Sequence, residues 1–497
     1  MKLEINRKDW IIERLGDFAI SEKGKKPKNQ SETQTEEFKY PYVDIQGFEK
    51  KIFDSYTDGV KCNFCTENDF LMVWDGSRSG LVGKAVAGAI GSTLVKINLP
   101  IIENHFAYYF LKSKYLEINT NAKGTGTPHV NPDLLWNYSF PIVPILEQKA
   151  IVGKIEQLFS ELDNGVANLK TAQAKLKIYR QAVLKKAFEG ELTKEWREKQ
   201  TNLPTADELL EQIKKEREVH YKQQLEEWKQ AIKEWKENGE QGTKPKKPQP
   251  YKPMIDEDNE TNALNTVLPE NWAYHKLGEI YEVYIGSTPS RKMPSYWNGN
   301  INWVSSGEVA FKNIIKTEET ITEDGLNNAS TNVHPVGTVM LAMIGEGKTR
   351  GQSAILEIEA CHNQNTAALR VNQNCLSSKL LYNFFYYTYQ ETRRIGSGNN
   401  QKALNKNRIS NMLMPLMSFE EQKVIVQEIE SKLSVCDKIE ETIETSLAKS
   451  EALRQSILKK AFEGKLLSVQ ELENIKNHPE YESAEALLKR IKNERDK

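Results

Sequence analysis

Leu184-Lys185-Lys186-Ala187-Phe188-Glu189-Gly190 returns later in the chain as Leu458-Lys459-Lys460-Ala461-Phe462-Glu463-Gly464. Upstream, Glu147-Gln148-Lys149 returns as Glu421-Gln422-Lys423 at the same offset of 274 residues (421 minus 147, 458 minus 184). The segment between the two motifs therefore recurs without a gap, which requires a rigid element in both copies. Its periodicity says what that element is. Ile151, Ile155, Leu158, Leu162, Val166, Leu169, Leu176 and Val183 follow steps of three and four residues, the stripe of a coiled-coil seam. Ile425, Ile429, Cys436, Ile443, Leu447 and Ile457 do the same in the second copy. No proline interrupts either run; Pro144 precedes the first and Pro415 the second, where helix starts tolerate it. Gly190 and Gly464 sit where a glycine ends a helix. At 1.5 Å per residue each helix is a rod of roughly 65 Å. Neither apolar stripe can remain in water, so the two rods are expected to pack together, antiparallel if a pseudo-two-fold axis relates the halves.

Working outward, the repeat extends beyond the rods. Trp10 and Leu15-Gly16-Asp17 match Trp272 and Leu277-Gly278-Glu279; Gly124-Thr125-Gly126 matches Gly396-Ser397-Gly398, and Asn131 matches Asn405. Ala206-Asp207-Glu208-Leu209-Leu210 reappears as Ala484-Glu485-Ala486-Leu487-Leu488, so each half reads as a globular segment, a long helix and a short charged helix. In the globular segments Phe70 to Trp74 and Thr338 to Ala342 end in glycine turns, as strands do, and the aromatic-rich stretches Phe106–Leu111 and Leu380–Tyr389 read as helices packed on the sheets. The expected fold is α+β: two mixed α/β domains separated by a pair of long antiparallel coiled-coil-like helices with cyclic pseudo-two-fold symmetry. The expected boundaries are 1–143 and 268–416 for the domains, 144–192 and 417–467 for the long helices, 193–267 for a charged helical insert and 468–497 for a terminal charged helix. Within the insert, Lys244-Pro245-Lys246-Lys247-Pro248 reads as a semi-rigid linker without a counterpart in the second half.

Composition bounds the class. A chain of 497 residues is too long for one core and implies roughly three or four units. Five cysteines and a charged first segment imply a reducing compartment, the cytoplasm, and no apolar stretch approaches the roughly 20 residues that span a bilayer. Formal net charge is −1, yet between Lys348 and Arg408 nine Lys and Arg residues face only Glu357, Glu359 and Glu391. A local basic surface is available inside a neutral chain.

Several strings mimic catalytic motifs. Pro132-Asp133 followed by Glu147-Gln148-Lys149 satisfies the loose spacing of a metal-dependent nuclease, but the second copy has Lys406-Asn407 where Pro-Asp would fall, and acidic residues suit a helix start in any case. Ala342 to Thr349 fits a relaxed phosphate loop; such a loop must feed a helix, and here the β-like Ala354-Ile355-Leu356 follows, so a strand–turn–strand is expected. Cys62 and Cys65 have zinc-finger spacing without a second pair nearby, and read as two half-buried thiols. No Asn-Pro-Pro-aromatic string and no convincing glycine-rich loop for S-adenosylmethionine occurs.

Recognition remains. Asp75-Gly76-Ser77-Arg78-Ser79-Gly80, ending at Lys84, and Gly345-Glu346-Gly347-Lys348-Thr349-Arg350-Gly351 fall in matching turns. Lys123 and His129 flank the first Gly-x-Gly turn; Arg393, Arg394, Lys402 and Lys406 flank the second. Arginine suits guanine edges and lysine suits phosphates, so these ten residues are the candidate contacts to double-stranded DNA. A coiled-coil scaffold with two protein-interaction domains is the alternative; it explains the helices but not basic turns at equivalent places. A fused restriction–methylation enzyme is a second rival, set aside for want of catalytic motifs.

With its Trp-x4-Leu-Gly start after Leu268-Pro269-Glu270, the entry Phe140-Pro141-Ile142-Val143-Pro144 into Glu147-Gln148-Lys149, and the two Leu-Lys-Lys-Ala-Phe-Glu-Gly helix ends, the chain resembles the specificity subunit of type I restriction–modification systems. The first half departs by lacking a Leu-Pro-Glu lead-in before Trp10, and the 226–260 insert is longer than a symmetric design requires. The resemblance implies two target recognition domains, each reading one half of an asymmetric bipartite DNA sequence. It implies no active site or cofactor on this chain: S-adenosylmethionine would be carried by two adenine-N6 methyltransferase subunits, and ATP and magnesium by up to two endonuclease subunits.

Overall fold

The computed structural model describes residues 7–242, 244–256, 266–329, 331–345, 347–394 and 404–495. Two compact units divide the chain: Met1–Ala172 with Thr442–Lys497, and Gln173–Glu441. In chain order the first domain contributes β1 (Ile11–Arg14), β2 (Ile20–Lys23), β3 (Phe70–Val73), β4 (Val82–Lys84), β5 (Leu94–Asn98), helix α1 (Asn104–Ser113) and β6 (Ser139–Ile142). Helices α2 (Ile145–Phe188) and α3 (Ala206–Glu237) follow. The second domain repeats the set as β7 (Ala273–Lys276), β8 (Glu282–Ile285), β9 (Val339–Ala342), β10 (Ser353–Ile355), β11 (Thr366–Arg370), α4 (Ser378–Arg394) and β12 (Leu413–Leu416), before α5 (Phe419–Phe462) and α6 (Ala484–Arg495).

The two domains share one plan. Four antiparallel strands are ordered β2-β5-β3-β4 in the first and β8-β11-β9-β10 in the second, while β1 pairs with β6 and β7 with β12. Both runs read as strands form central members with every side chain buried, Phe70–Val73 and Val339–Ala342. Both aromatic stretches form helices, and Phe106, Phe110, Phe384 and Phe385 fill the cores beneath them. Asn131 and Asn405 accept hydrogen bonds from the amides of Asp133 and Arg408, each capping a short helix at the same place in its domain.

The recurrent Glu-Gln-Lys motif is structural. Glu147, 2% exposed, accepts a hydrogen bond from the Trp10 indole at 3.1 Å and pairs with Arg7 at 3.0 Å. Glu421, 1% exposed, accepts from the Trp272 indole at 2.9 Å and from Arg197 and Thr193 at 2.7 Å. Burial pushes the Glu147 carboxyl upward while the Arg7 guanidinium opposes it. The neighbouring glutamines act as splices. Gln148 donates to the Val143 carbonyl and accepts from the Glu103 amide ahead of α1; Gln422 donates to the Met417 carbonyl and accepts from the Ser377 amide ahead of α4. One entry point differs from expectation: Pro415 lies within β12, and Ser418 takes the place that Pro144 holds, its carbonyl accepting from the Gln422 amide as that of Pro144 accepts from Gln148.

Each unit joins the start of one long helix to the end of the other. In the first, Ile151, Ile155 and Phe159 share a core with Ile457, Leu458, Ala461 and Phe462; in the second, Leu184, Ala187 and Phe188 share one with Ile425, Val426 and Ile429. Of the remaining seam residues, Ile443 is buried and Leu158, Leu162, Leu169, Leu176 and Leu447 are half-buried. Arg454 pairs with Asp163 in the first unit, and Arg180 pairs with Asp437 at 2.7 Å in the second. The 274-residue offset carries Asp163 onto Asp437 and Arg180 onto Arg454, so the two ion pairs are copies of one contact, made once in each unit. Gly190 (φ 76°) and Gly464 (φ 72°) end the helices in the left-handed conformation. Beyond them α6 buries Ala484, Leu487 and Ile491 in the core that holds Trp10, as α3 buries Ala206, Leu209 and Ile213 in the core that holds Trp272. The repeat is cyclic in space.

The Lys/Pro tract is not a free linker. It folds back along α3: the Trp228 indole donates to the Pro245 carbonyl at 3.0 Å and the Trp235 indole to Gly242 at 3.3 Å, with Lys247 and Lys244 each 5.8 Å from those rings. The return strand reaches its domain at Tyr251, whose hydroxyl accepts from the Val283 amide, and at Met254 and Asp256, held by Asn411. Tryptophans at helical spacing give the proline-rich segment a surface to lie on, which composition alone did not reveal. No helix of the described residues is long and apolar enough to cross a membrane.

Replacing Glu421 by alanine leaves the Trp272 indole and the Arg197 guanidinium without their buried acceptor. Denaturant unfolding of this variant is expected to show a loss of about 3 kcal/mol; a loss below about 1 kcal/mol would show that the carboxylate does not hold the domain to α5.

Candidate nucleic-acid interface

Strand order determines which loops meet. In the first domain Val95 faces Lys23, Leu94 faces Val73 and Met72 faces Val82. The segment after β2, the turn before β5 and the β3–β4 turn therefore leave the sheet at one end. In the second domain Ile285 faces Ala367, Ala342 faces Thr366 and Leu341 faces Ser353, which gathers the segment after β8, residues 363–365 and the β9–β10 turn in the same way. The two principal turns close alike, by Gly80 N–H to the Val73 carbonyl at 2.7 Å and Gly351 N–H to the Ala342 carbonyl at 2.8 Å. The stretch that mimicked a phosphate loop is thus a hairpin turn between strands.

Most of the residues singled out in the first domain converge. Asp75 forms a β-bridge with His129, which also bridges Lys123, and the Gly76 amide donates to the Pro128 carbonyl at 2.7 Å. Lys123 pairs with Asp133 at 2.7 Å and Arg78 with Glu49. Lys84 falls outside the cluster. It faces Phe70 at the far end of the β3–β4 pair, and its amino group meets Glu156 of α2 at 3.0 Å, because the turn closes before Val82 and the strand carries Lys84 away.

In the second domain Lys348 is exposed at the tip of its turn, whose carbonyl accepts from the Tyr389 hydroxyl. Arg350 donates to the Arg393 carbonyl at 2.8 Å, and Arg393 returns a bond to the Arg350 carbonyl at 3.5 Å, so the end of α4 and the turn form one surface. Arg394 is the last residue of α4. Lys406, two residues after Leu404, whose amide donates to the Met343 carbonyl at 3.2 Å, stands 5.9 Å from the Tyr251 ring of the returning strand, which the sequence had not placed there. Lys402 and the second Gly-x-Gly turn, Gly396–Gly398, lie outside the described residues.

Sequence reasoning missed the first loop of each domain. An offset of 262 residues, which relates Trp10 to Trp272, also relates Gly24 to Gly286. Both glycines run against backbone too closely to admit a side chain: a Cβ would stand 2.2 Å from the Gly91 oxygen in one and 2.0 Å from the His362 oxygen in the other. The next amide completes the match, Lys25 N–H to the Ile90 carbonyl at 3.2 Å and Ser287 N–H to the His362 carbonyl at 3.0 Å. Lys25, Lys26 and Lys28 are displayed on the first loop; on the second, Arg291 lies 3.7 Å over the Trp297 ring and pairs with Glu319.

The nuclease and zinc readings find no support in this geometry. Glu147 is enclosed by Trp10 and Arg7, Cys65 is buried against the Val86 and Gly88 carbonyls, and among the described residues no three His, Cys, Asp or Glu side chains converge as metal ligands.

The fold thus defines a class: two α/β domains of one plan, each spliced to the start of one long helix and the end of the other, and each offering a loop-built end. A model of the type I restriction modification DNA specificity domain matches residues 7–170 and 269–449, and the chain belongs to that family. It is 25% identical over 444 residues to the EcoBI specificity subunit of Escherichia coli, spanning 86% of this chain and 80% of that one, and 24% identical over 400 residues to the EcoDI subunit of Escherichia coli, spanning 80% and 77%. The MjaVIII specificity subunit of Methanocaldococcus jannaschii is 31% identical over 183 residues, 36% of this chain and 42% of that one. Among solved structures, a chain from work on complex assembly and conformational transition of the type I R-M system aligns with a TM-score of 0.64 at 16% identity, covering 93% of this chain and 99% of its own length. The HsdS subunit from Thermoanaerobacter tengcongensis aligns at 0.50 and 17% identity, covering 92% and 98%.

Beneath the second loop end, His362 is wholly buried, with Nδ1 2.7 Å from the Thr366 hydroxyl and its ring 5.0 Å from that of His334. Burial pushes His362 down to about 4 and lowers His334 as well. A histidine kept neutral in the fold stabilises it fully above its unfolded pKa of about 6.5, and that contribution is lost as pH falls toward the folded value. Denaturant unfolding should show a loss of about 2 kcal/mol from each of the two histidines between pH 7 and pH 5, and His362→Gln should roughly halve that slope. An unchanged slope in the variant would show that acid acts elsewhere.

Proposed function

We propose that this chain is the DNA-reading, non-catalytic subunit of a type I restriction–modification complex in the cytoplasm. Each domain reads one half of a bipartite asymmetric target with the loops at its sheet end: Arg78, Lys123 and His129 in the first, Lys348, Arg350, Arg393 and Arg394 in the second, with Lys402, outside the described residues, as a further candidate contact. The observation that carries this reading is one loop frame, held by the same backbone bonds, presenting unlike residues in the two domains. A frame preserved under divergent tips is what two readers of different half-sequences need.

The long helices supply spacing and docking. Two half-sites are read from one face of B-DNA only near one helical turn apart, about 34 Å, so a stiff connection fixes the spacer between them. The helices also carry apolar side chains that no core uses: Ile178 is 70% exposed, and Tyr179, Leu453, Val435 and Ile439 are exposed as well. Tyr179 and Leu453 are related by the 274-residue offset, which fits one partner on each half. Two adenine-N6 methyltransferase subunits would dock there, bringing S-adenosylmethionine, and endonuclease subunits with ATP and magnesium would join through them. Catalysis then falls to the partner, which must flip its adenine out of the stack; this chain supplies position.

Deleting four residues around Leu169 tests the division of labour. Methylation of a plasmid library with varied spacers should show a changed spacer and two unchanged half-sequences. Altered half-sequences would show that the helices are not the ruler.

A further inference from the structure

We propose that Lys25, Lys26 and Lys28 form a phosphate-gripping strip beside the reading turn of the first domain, an inference that rests on the DNA-reading role above. Their backbone is built rather than loose. Gly24 is wedged against the Gly91 and Ile90 carbonyls, the Lys25 amide is bonded to Ile90, Pro27 is buried, and Gln30 pairs with Thr57 in a sheet, so the chain is pinned before, between and after the lysines. All three lysines are exposed, and none of their amino groups has a hydrogen-bond or ion-pair partner among the described residues.

The strip adjoins the reading turn. Lys23, at the end of β2, reaches across to Asp75 at 2.8 Å, and Asp75 carries the bridge to His129. The nearby acids are engaged: Glu22 pairs with Lys96 at 2.9 Å, Asp75 with Lys23, and Asp58 accepts from Asn29 at 2.7 Å. From Gly24 to Ser31 the chain carries no acidic residue. Three free ammonium groups on a fixed ribbon suit a run of phosphates. Lysine is a flexible point charge without the forked geometry that distinguishes bases, so the strip holds the duplex in place and leaves sequence to the turn. In the second domain the positions equivalent to the three lysines are Ser287, Thr288 and Ser290, and the following Arg291 is committed to Glu319 and stacked on Trp297, so the two domains grip their half-sites differently.

Phosphate neutralisation has a thermodynamic signature: the slope of log affinity against log salt changes by about 0.9 for each contact. Binding of the full chain to a labelled 40-base-pair duplex of random sequence, titrated with NaCl, reads that slope. K25Q/K26Q/K28Q should lower its magnitude by about 2 to 3, K26Q alone by about 1, and K25R/K26R/K28R should retain it. The lysines are exposed, so thermal unfolding of all variants should match the parent. A steep parental slope left unchanged by the Gln variants overturns the strip while the DNA reading stands. Salt-insensitive binding, or none, by the parent overturns both.

Discussion

A buried carboxylate at the start of each long helix is the constraint on which this structure depends. Glu147 and Glu421 each accept an indole N–H and a guanidinium inside a core, so a charge that would be costly to bury alone is neutralised by groups from segments distant in sequence. The tryptophan comes from the first strand region of the domain, the glutamate from the helix leaving it. The arginine differs in origin: Arg7 stands just before the first strand, whereas Arg197 follows the first long helix. Two routes of the chain arrive at the same site, which is how a tandem repeat becomes cyclic.

That arrangement separates what must be kept from what is free to vary. Splice, helix and sheet order are common to both halves, including the reciprocal Arg454–Asp163 and Arg180–Asp437 pairs. The differences lie in the loop tips and in a second sheet, five-stranded in the first domain and three-stranded in the second. Backbone bonds fix where each tip stands, so a domain can exchange Arg78 for Lys348, or a lysine ribbon for a stacked arginine, without disturbing the frame. Family membership and this division of the molecule point the same way.

Much of the fold was legible because periodicity and repetition report directly on rigid elements: the seam of α2 and α5, the glycine stops, and the strands ending at Asp75-Gly76 and Gly345. The reciprocal Arg–Asp contacts were legible in principle, since the same offset relates all four residues, but ion pairs leave no periodic trace. The fold-back of Lys244–Pro248 escaped because a proline-rich strand is ordered here only by Trp228 and Trp235, a tertiary matter. At the candidate site, convergence of Asp75, Lys123 and His129 follows from bridges no local pattern encodes. Lys84 was drawn in by proximity along the chain, whereas strand direction carries it to Glu156. The Lys25–Lys28 ribbon was overlooked because its signal, Gly24 matching Gly286, lies in backbone crowding rather than charge.

The central claim is that one chain holds two different readers on a common frame and directs a partner's methyl transfer. Mapping N6-methyladenine across the genome of a host carrying this gene, with and without it, tests that claim most directly. The account predicts one asymmetric bipartite motif with a fixed nonspecific spacer, methylated only when the gene is present. An identical methylation map in both strains, or a single continuous motif, would contradict it.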